Sequence, residues 1–370
     1  MTKAAELAKM GEVLTNSQIG GRRNIVINGA MQVAQRGTSF SLSGTADTFI
    51  TDRFLISNSD TGAWTASQST DSPTGFSNSL KMDCTTADTS PTFLTLMTRF
   101  EGQDLQHLKK GTSSAEKTTL SFFVKSNKTG TYIAELRDID NNRTIGKAYT
   151  ISSADTWEQK IITFDGDTTG AFGNDNGNSL QIIWYLAVGS VYNSGTLATS
   201  WGSRVNANTA VGQVNLADST DNEWYITGIQ LEVGSVATPF EHRSFGEEQR
   251  LCQRYAIVYS KNGQPNMGDK AIGTGASTNS SGGYQAFIFP QVTMRAVPTL
   301  TVGGSVSDYE ILKYETGYVD VNSSISLFSA SGRSLFVLTF SSATAEAERG
   351  RDVIMRLEGD NSSLLFDSEL

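Results

Sequence analysis

The groups in this chain that could carry a reaction are few. Histidine is the ordinary general base near neutral pH, and there are only 2 in 370 residues: His107 in QDLQHLKK and His242 in PFEHRSF. Neither lies in a nucleophile elbow, a P-loop, an HExxH helix or a complete GxGxxG turn. Hydrogen bonding at a surface or a junction is the plainer role for both. Glycoside hydrolysis asks only for two carboxylates at a set separation, and the chain has 38 Asp and Glu residues. Asp138 and Asp140 sit two apart near a turn and would face the same way if the strand ran on. A solvated hairpin tip explains them as well. Nothing repeats at the period of a solenoid. No enzyme is expected, and a glycan depolymerase is the weakest of the readings.

Metal and sugar chemistry have more to work with. DIDNNR (138–143) and DGDTTGAFGNDNGN (165–178) gather the hard oxygen ligands that calcium prefers. Neither matches an EF-hand loop, and Asp-Gly or Asn-Gly clusters also serve turns alone. Asp138, Asp140, Asp165 and Asp167 are the candidates for a structural calcium ion, and no other cofactor is expected. A pyranose needs a small apolar surface with a few placed polar groups. Trp64, Tyr192 and Trp201 lie near loop-like Gly/Ser-rich sequence and are candidates to provide it. Tyr284, Tyr314 and Tyr318 lie near strand edges or turns further on, where edge packing or a subunit interface explains them equally. Trp184 and Trp224 sit inside alternating strands and belong to a core.

The elements that must position these residues are mostly strands. With 35 Gly, 6 Pro and many Ser, Thr, Asn and Asp in short clusters, turns are frequent. Period-2 runs predict strands: Leu120, Phe122 and Val124 share one face, as do Tyr132, Ala134 and Leu136. Leu180, Ile182, Trp184, Leu186 and Val188 form another such row. In NIVINGAMQVAQRGTSF, Ile25 and Ile27 lie on one strand face and Asn28-Gly29 signals a turn or bulge. Nine or ten strands over 22–245 imply a two-sheet sandwich. A charged connector, GEEQRLCQR, has helical character. The β-rich remainder of 246–370 makes a smaller C-terminal β-sandwich, with Pro290 and Pro298 at strand ends or edges. The one clear helix is residues 3–14, where Leu7, Met10 and Leu14 have a–d–a spacing. A helix this short must dock or bundle with copies of itself, and 15–21 is a hinge.

Bulk properties narrow the function classes. A net charge of −9 argues against a nucleic-acid partner. Cys84 and Cys252 fall in different domains, so neither a disulfide framework nor a cysteine zinc site is expected. No apolar run reaches the roughly 20 residues of a membrane helix, and the N-terminus lacks the pattern of a signal peptide. Folding in a reducing cytoplasm fits these features.

Several phrases give a more specific pointer. NIVINGAMQVAQRG, EGQDLQHLKKGTSSAEKTTLSFFVKSNKTGTY (101–132) and QLEVGSVATPFE (230–241) resemble, in order, the jelly-roll module of bacteriophage tail-fibre and related virion fibre proteins. FPQVTMRAVPT resembles the start of a C-terminal domain in the same proteins, and TKAAELA their N-terminal helix. The resemblance implies an all-β fold: a jelly-roll β-sandwich of carbohydrate-binding-module type, then a smaller β-sandwich, after a short N-terminal helix. It implies a virion-attached homotrimer without enzymatic activity. The helix would join other phage tail or capsid proteins, and the β domains would contact a host-surface glycan or protein. Tail fibre, neck or head fibre, and capsid decoration all remain open.

Overall fold

The computed structural model describes residues 3, 23–261, 270–278, 282–313, 317–342, 350 and 352–370. Leu7, Met10, Leu14 and Tyr314 lie outside the described residues. The chain divides between Glu248 and Gln249 into two compact units. The first contains strands β1 (Ser39–Ser43), β2 (Ala46–Phe49), β3 (Phe54–Ser59), β4 (Ala63–Ser69), β5 (Ser79–Thr86), β6 (Phe93–Glu101), β7 (Thr118–Ser126), β8 (Gly130–Asp138), β9 (Arg143–Ile151), β10 (Glu158–Phe164), β11 (Asn178–Val188), β12 (Gly202–Ser203) and β13 (Glu223–Val233). A short helix, α1 (Ser190–Asn193), follows β11, and α2 (Phe245–Gln253) carries the chain across the division.

The strands form two antiparallel sheets, ordered β1-β4-β5-β13-β7-β10 and β12-β9-β8-β11-β6-β3-β2. They make the jelly-roll sandwich. Side chains alternate along each strand, so the inward sets Leu120/Phe122/Val124, Tyr132/Ala134/Leu136 and Leu180/Ile182/Trp184/Leu186 meet in one core. Two irregularities change the parity that strict alternation predicts. In β13 the register shifts between Thr227 and Gln230, around Gly228 at φ +63°. Trp224, Ile226, Ile229 and Leu231 therefore all reach the core. In β11 a shift between Tyr185 and Ala187 turns Val188 to the opposite face, where it joins Leu55, Met97, Ile133 and Ile183. Residues 24–37 also depart from expectation: they form no regular strand, and Asn24, Val26 and Asn28 are buried while Ile25 and Ile27 are only half-buried.

The second unit has its own core. Its strands are β14 (Ala256–Ser260), β15 (Lys270–Ser277), β16 (Gly283–Ile288), β17 (Thr299–Gly303), β18 (Tyr309–Lys313), β19 (Gly317–Asp320), β20 (Ser326–Leu327), β21 (Phe336–Ser341), β22 (Asp352–Leu357) and β23 (Ser363–Asp367). A three-stranded sheet, β14-β23-β17, faces a seven-stranded one, β19-β18-β22-β15-β16-β21-β20. Phe366 of the first stacks on Phe336 of the second with ring centroids 4.2 Å apart. Among the described residues no helix is long and apolar enough to cross a membrane.

Candidate functional site

The structure disperses most of the aromatic candidates. Trp64 is a core residue, 1% exposed, and its indole donates to the Thr61 carbonyl at 2.8 Å. Tyr284, also 1% exposed, stacks on Phe340 inside the second unit. Neither can meet a sugar: their alternating strands carry them inward. Tyr192 packs edge-on against Phe93 beside the small outer cluster. Trp201 is pinned by a hydrogen bond from its indole to the Asp165 carbonyl, 2.7 Å. Tyr318 is exposed, but the Arg356 guanidinium covers its ring at 3.2 Å. Arg356 also bonds Glu310 at 2.5 Å, beside Asp320 and Glu358.

The aspartates expected to hold calcium are likewise reassigned. The Lys110 ammonium lies 2.6 Å from Asp138 and 3.0 Å from Asp167, and donates to the Thr169 and Gly170 carbonyls at 3.0 and 2.6 Å. Arg143 adds a fork onto Asp167 at 2.7 and 3.0 Å. Asp140 instead accepts from the Gly173 amide, and Asp165 pairs with Lys117 at the surface. The buried oxygens thus surround a protein cation, with the Phe172 and Trp201 rings 5.2 and 5.4 Å away. The four carboxylates do not converge on one point for an ion. The hairpin tip is also not simply solvated, since Asp138 is fully buried.

A different constellation occupies the outer face of the first sheet. Because Trp224 points inward, its neighbour Tyr225 points out. Tyr225 pairs with Lys81 of β5 and Lys125 of β7, and Trp157 directly precedes β10 beside Lys125. Lys81, Tyr225, Lys125 and Trp157 therefore form a row across the sheet. Lys125 sits 4.3 Å from the Tyr225 centroid and 5.7 Å from that of Trp157, and the two rings meet edge-on at 6.1 Å. These are cation–π distances. Asp71 receives the Trp157 indole proton at 3.0 Å and pairs with Lys125. Lys81 pairs with Glu223 at 2.6 Å and Asp83 at 3.2 Å.

These contacts set the protonation states. The hydrogen bond from Lys125, joined by that from Trp157, holds Asp71 below the usual carboxylate range against the opposing effect of burial. Burial favours a neutral Lys81, but Glu223 and Asp83 outweigh it and raise its pKa. Burial, then the Glu223 hydrogen bond, push the Tyr225 phenol up to about 12. Across the neutral range Asp71 is therefore held ionised and Lys81 protonated beside the two rings.

Further along the same face is an apolar patch. Phe76 meets Phe123 at 5.4 Å, Phe240 at 5.0 Å and His242 at 5.3 Å. The three Phe rings are half-buried and His242 is exposed. Gly228 lies beneath, where a Cβ would come 2.6 Å from Phe76 and 2.9 Å from Phe123.

No family model matches the chain, and no curated protein matches it. Solved structures do align. One is the enzymatically active domain of tailspike protein 4 of bacteriophage CBA120: 15% identity, TM-score 0.31, over 57% of this chain and 21% of that one. Another is the family 11 carbohydrate-binding module of a cellulosomal cellulase of Clostridium thermocellum: 12% identity, TM-score 0.27, over 60% of this chain and 100% of that one. A family 22 xylan-binding domain aligns at 11% identity and TM-score 0.28, over 50% of this chain and 90% of that one. The chain thus spans about a fifth of the length of the tailspike domain. At such TM-scores these likenesses bear on neither ligand nor reaction, and the fold description rests on strand order and register.

Neither Tyr225 nor Trp157 was singled out from the sequence. Strict alternation puts Tyr225 on the face of Ile229, Leu231 and Val233, and only the shift around Gly228 turns it outward. Trp157 stands just before β10, outside any alternating run.

Proposed function

We propose that this chain is a bacteriophage virion fibre protein whose jelly-roll unit binds a host-surface glycan on the outer face of its first sheet. The observation that carries the glycan reading is the Trp157 ring, half-buried and held by Asp71 beside Lys125. An apolar ring edged by a fixed carboxylate and a fixed ammonium suits a pyranose, whose apolar face stacks while its hydroxyls take hydrogen bonds. The assignment to a virion rests on the resemblance of 24–37, 101–132 and 230–241 to fibre modules. In this reading residues 1–21 join the particle, 22–245 present the glycan face, and 246–370 form a receptor-contacting tip. Three copies raise weak single-site binding through avidity. The function is adhesion, and no reaction is assigned.

One observation favours a second reading, a purely structural adaptor or decoration protein. Tyr225 is only 6% exposed under Lys81 and Lys125, so part of the row is satisfied internally. Glycan-array retention by the full-length protein and by Trp157→Ala separates the two. The glycan reading expects the wild type to retain a subset of host-surface glycans and the variant to lose them. Equal retention removes the platform, and no retention by either leaves the adaptor reading. Immunogold labelling of intact virions tests particle attachment, which fails if no label is found on them.

A further inference from the structure

The seven-stranded sheet of the second unit is apolar on both sides. Tyr284, Ala286, Phe336, Leu338, Val353 and Met355 fill its core side, so the alternate positions should be polar if they face only water. Along one whole row they are not. From the β19 edge the outward row runs through Tyr318, Leu312 and Ile354, each in register with the next. Thr274 of β15 follows, then Phe287 and Val337. Phe328 ends the row just past β20, its amide donating to the Val337 carbonyl at 2.8 Å. Thr274 alone interrupts an apolar line from one edge strand to the other. Its two ends are open, with Tyr318 50% and Phe328 41% exposed.

Size and charge specify what covers this face. Neighbouring strands lie about 4.8 Å apart, so the row is about 29 Å long, and three outward rows at about 7 Å each make a face of about 600 Å². Covered on two partners, that is about 1,200 Å², where specific interfaces begin. The two ends carry opposite charge. At the β19 end the carboxylate oxygens of Glu310, Asp320 and Glu358 lie within 4.8 Å of one another, with Arg356 paired to Glu310 and 4.0 Å from Glu358. The hydrogen bond with Glu310 raises the Glu358 carboxyl above its usual range, as expected where three carboxylates share one guanidinium. At the β20 end, in the turn before β21, Arg333 is exposed. Its Nε donates to the Met294 carbonyl at 2.6 Å, and among the described residues no carboxylate pairs with it. A second copy of the chain therefore offers the same apolar row, with the matching charge at its opposite end.

We propose that copies of this chain meet through the outer face of the seven-stranded sheet, the acidic β19 end of one copy against the Arg333-bearing β20 end of the next. Tyr318 of one copy then lies beside Phe328 of its neighbour. Such a head-to-tail contact can close into a ring, and the three-copy assembly proposed above is one such ring. The contact does not depend on the glycan reading.

Cysteine cross-linking of the full-length protein tests it. Within one copy, positions 318 and 328 stand at opposite ends of the row, far beyond the reach of a disulfide. The Tyr318→Cys/Phe328→Cys double variant should therefore oxidise into covalent oligomers. Each single variant should stay one chain on a non-reducing gel, since Cys84 and Cys252 are buried. Light scattering should give the wild type a multiple of the chain mass. Phe328→Asp and Arg333→Glu should each weaken association at least roughly tenfold with an unchanged far-ultraviolet spectrum, and Asp320→Lys should rescue Arg333→Glu. Both substituted positions are exposed, so lost association is not lost folding. A single-chain wild type would overturn the proposal, and if Phe328→Asp then abolished binding to host cells the face would belong to a receptor. An oligomer that survives Phe328→Asp and is not linked in the double variant would place the contact elsewhere and overturn it too. Cross-linking in either single variant would contradict the head-to-tail arrangement.

Discussion

Glu241 accepts a hydrogen bond from the Asn24 backbone amide at 2.7 Å, across 217 positions of chain. The Asn24 side chain accepts from the Val26 and Leu231 amides and donates to the Ile229 carbonyl. Gln230 accepts from the Glu241 amide, Glu232 accepts twice from Thr238, and Arg243 donates to the Val26 carbonyl. Gly29 approaches so closely that a Cβ there would lie 2.1 Å from the Ile229 oxygen. The NIVING and QLEVGSVATPFE phrases, from the two ends of the jelly-roll unit, are thus halves of one hydrogen-bonded clasp. Their residues close the fold, and Phe240 adds a ring to the outer apolar patch.

Asn24→Ala should therefore act far beyond its own position. Asn24 is 3% exposed, and its loss strands the Leu231 amide and the Ile229 carbonyl. At about 1–3 kcal/mol per buried unsatisfied group, the expected cost is about 3 kcal/mol. Urea unfolding followed by tryptophan fluorescence measures it. A change within about 0.5 kcal/mol, the usual range for surface substitutions, would mean the clasp is dispensable.

Lys110→Met should leave Asp138 and Asp167 buried around an apolar side chain. Removing one partner of a buried ion pair typically costs about 3–5 kcal/mol. The pH dependence adds a check. Burial opposes ionisation of Asp167, but hydrogen bonds from Arg143 and Lys110 outweigh it and hold its pKa below the ordinary value. A depressed folded pKa contributes stability in full above the unfolded value, about 3.9. That stability is lost as pH falls from there through the lower folded value. Without Lys110 the Asp167 carboxyl should be harder to ionise, and the variant should be relieved by acid. The stability gap between wild type and variant should narrow from neutral pH through the carboxylate range. A gap independent of pH would argue against the ammonium cage.

The same cage shows what sequence could and could not reveal. The oxygens of 138–143 and 165–178 were visible as a cation site, but the cation that fills it is Lys110, 28 positions before Asp138 and in no recognisable pattern. Alternation located the inward rows of β7, β8 and most of β11, because burial on one face imposes period 2. It misplaced Val188, since a bulge shifts parity without changing composition. Loop-like surroundings were a poor guide to exposure for Trp64, which in fact lies on β4.

Cys84 should be chemically silent in the native protein. Burial, reinforced by the charge of Asp83, pushes its thiol up to about 11, and the thiolate is the reactive form. With Ellman's reagent at about pH 8 it should react only on unfolding. Cys252→Ser isolates the reading, leaving one thiol to follow. Rapid labelling of that single thiol in native buffer would contradict both the burial and the raised pKa.

Gly228 combines two demands that a substitution can separate. Its φ of +63° is left-handed, which costs a residue with a Cβ about 1 kcal/mol or more. A Cβ would also fall 2.6 Å from Phe76 Cζ and 2.9 Å from Phe123 Cδ2, forcing the outer rings apart. Gly228→Ala should cost about 1–3 kcal/mol and disturb the Phe76–Phe123–Phe240 patch. Asn tolerates the left-handed region better than Ala but brings the same Cβ. If strain dominates, Gly228→Asn should recover most of the stability that Ala loses. If the rings dominate, Asn should be no better than Ala, and Phe76→Ala should rescue Gly228→Ala, because it removes the nearest atom in the path of the new Cβ. Urea midpoints of the three single variants and the Phe76→Ala/Gly228→Ala double variant decide between them. Wild-type stability in Gly228→Ala would contradict the bulge geometry that turns Ile229 and Leu231 into the core.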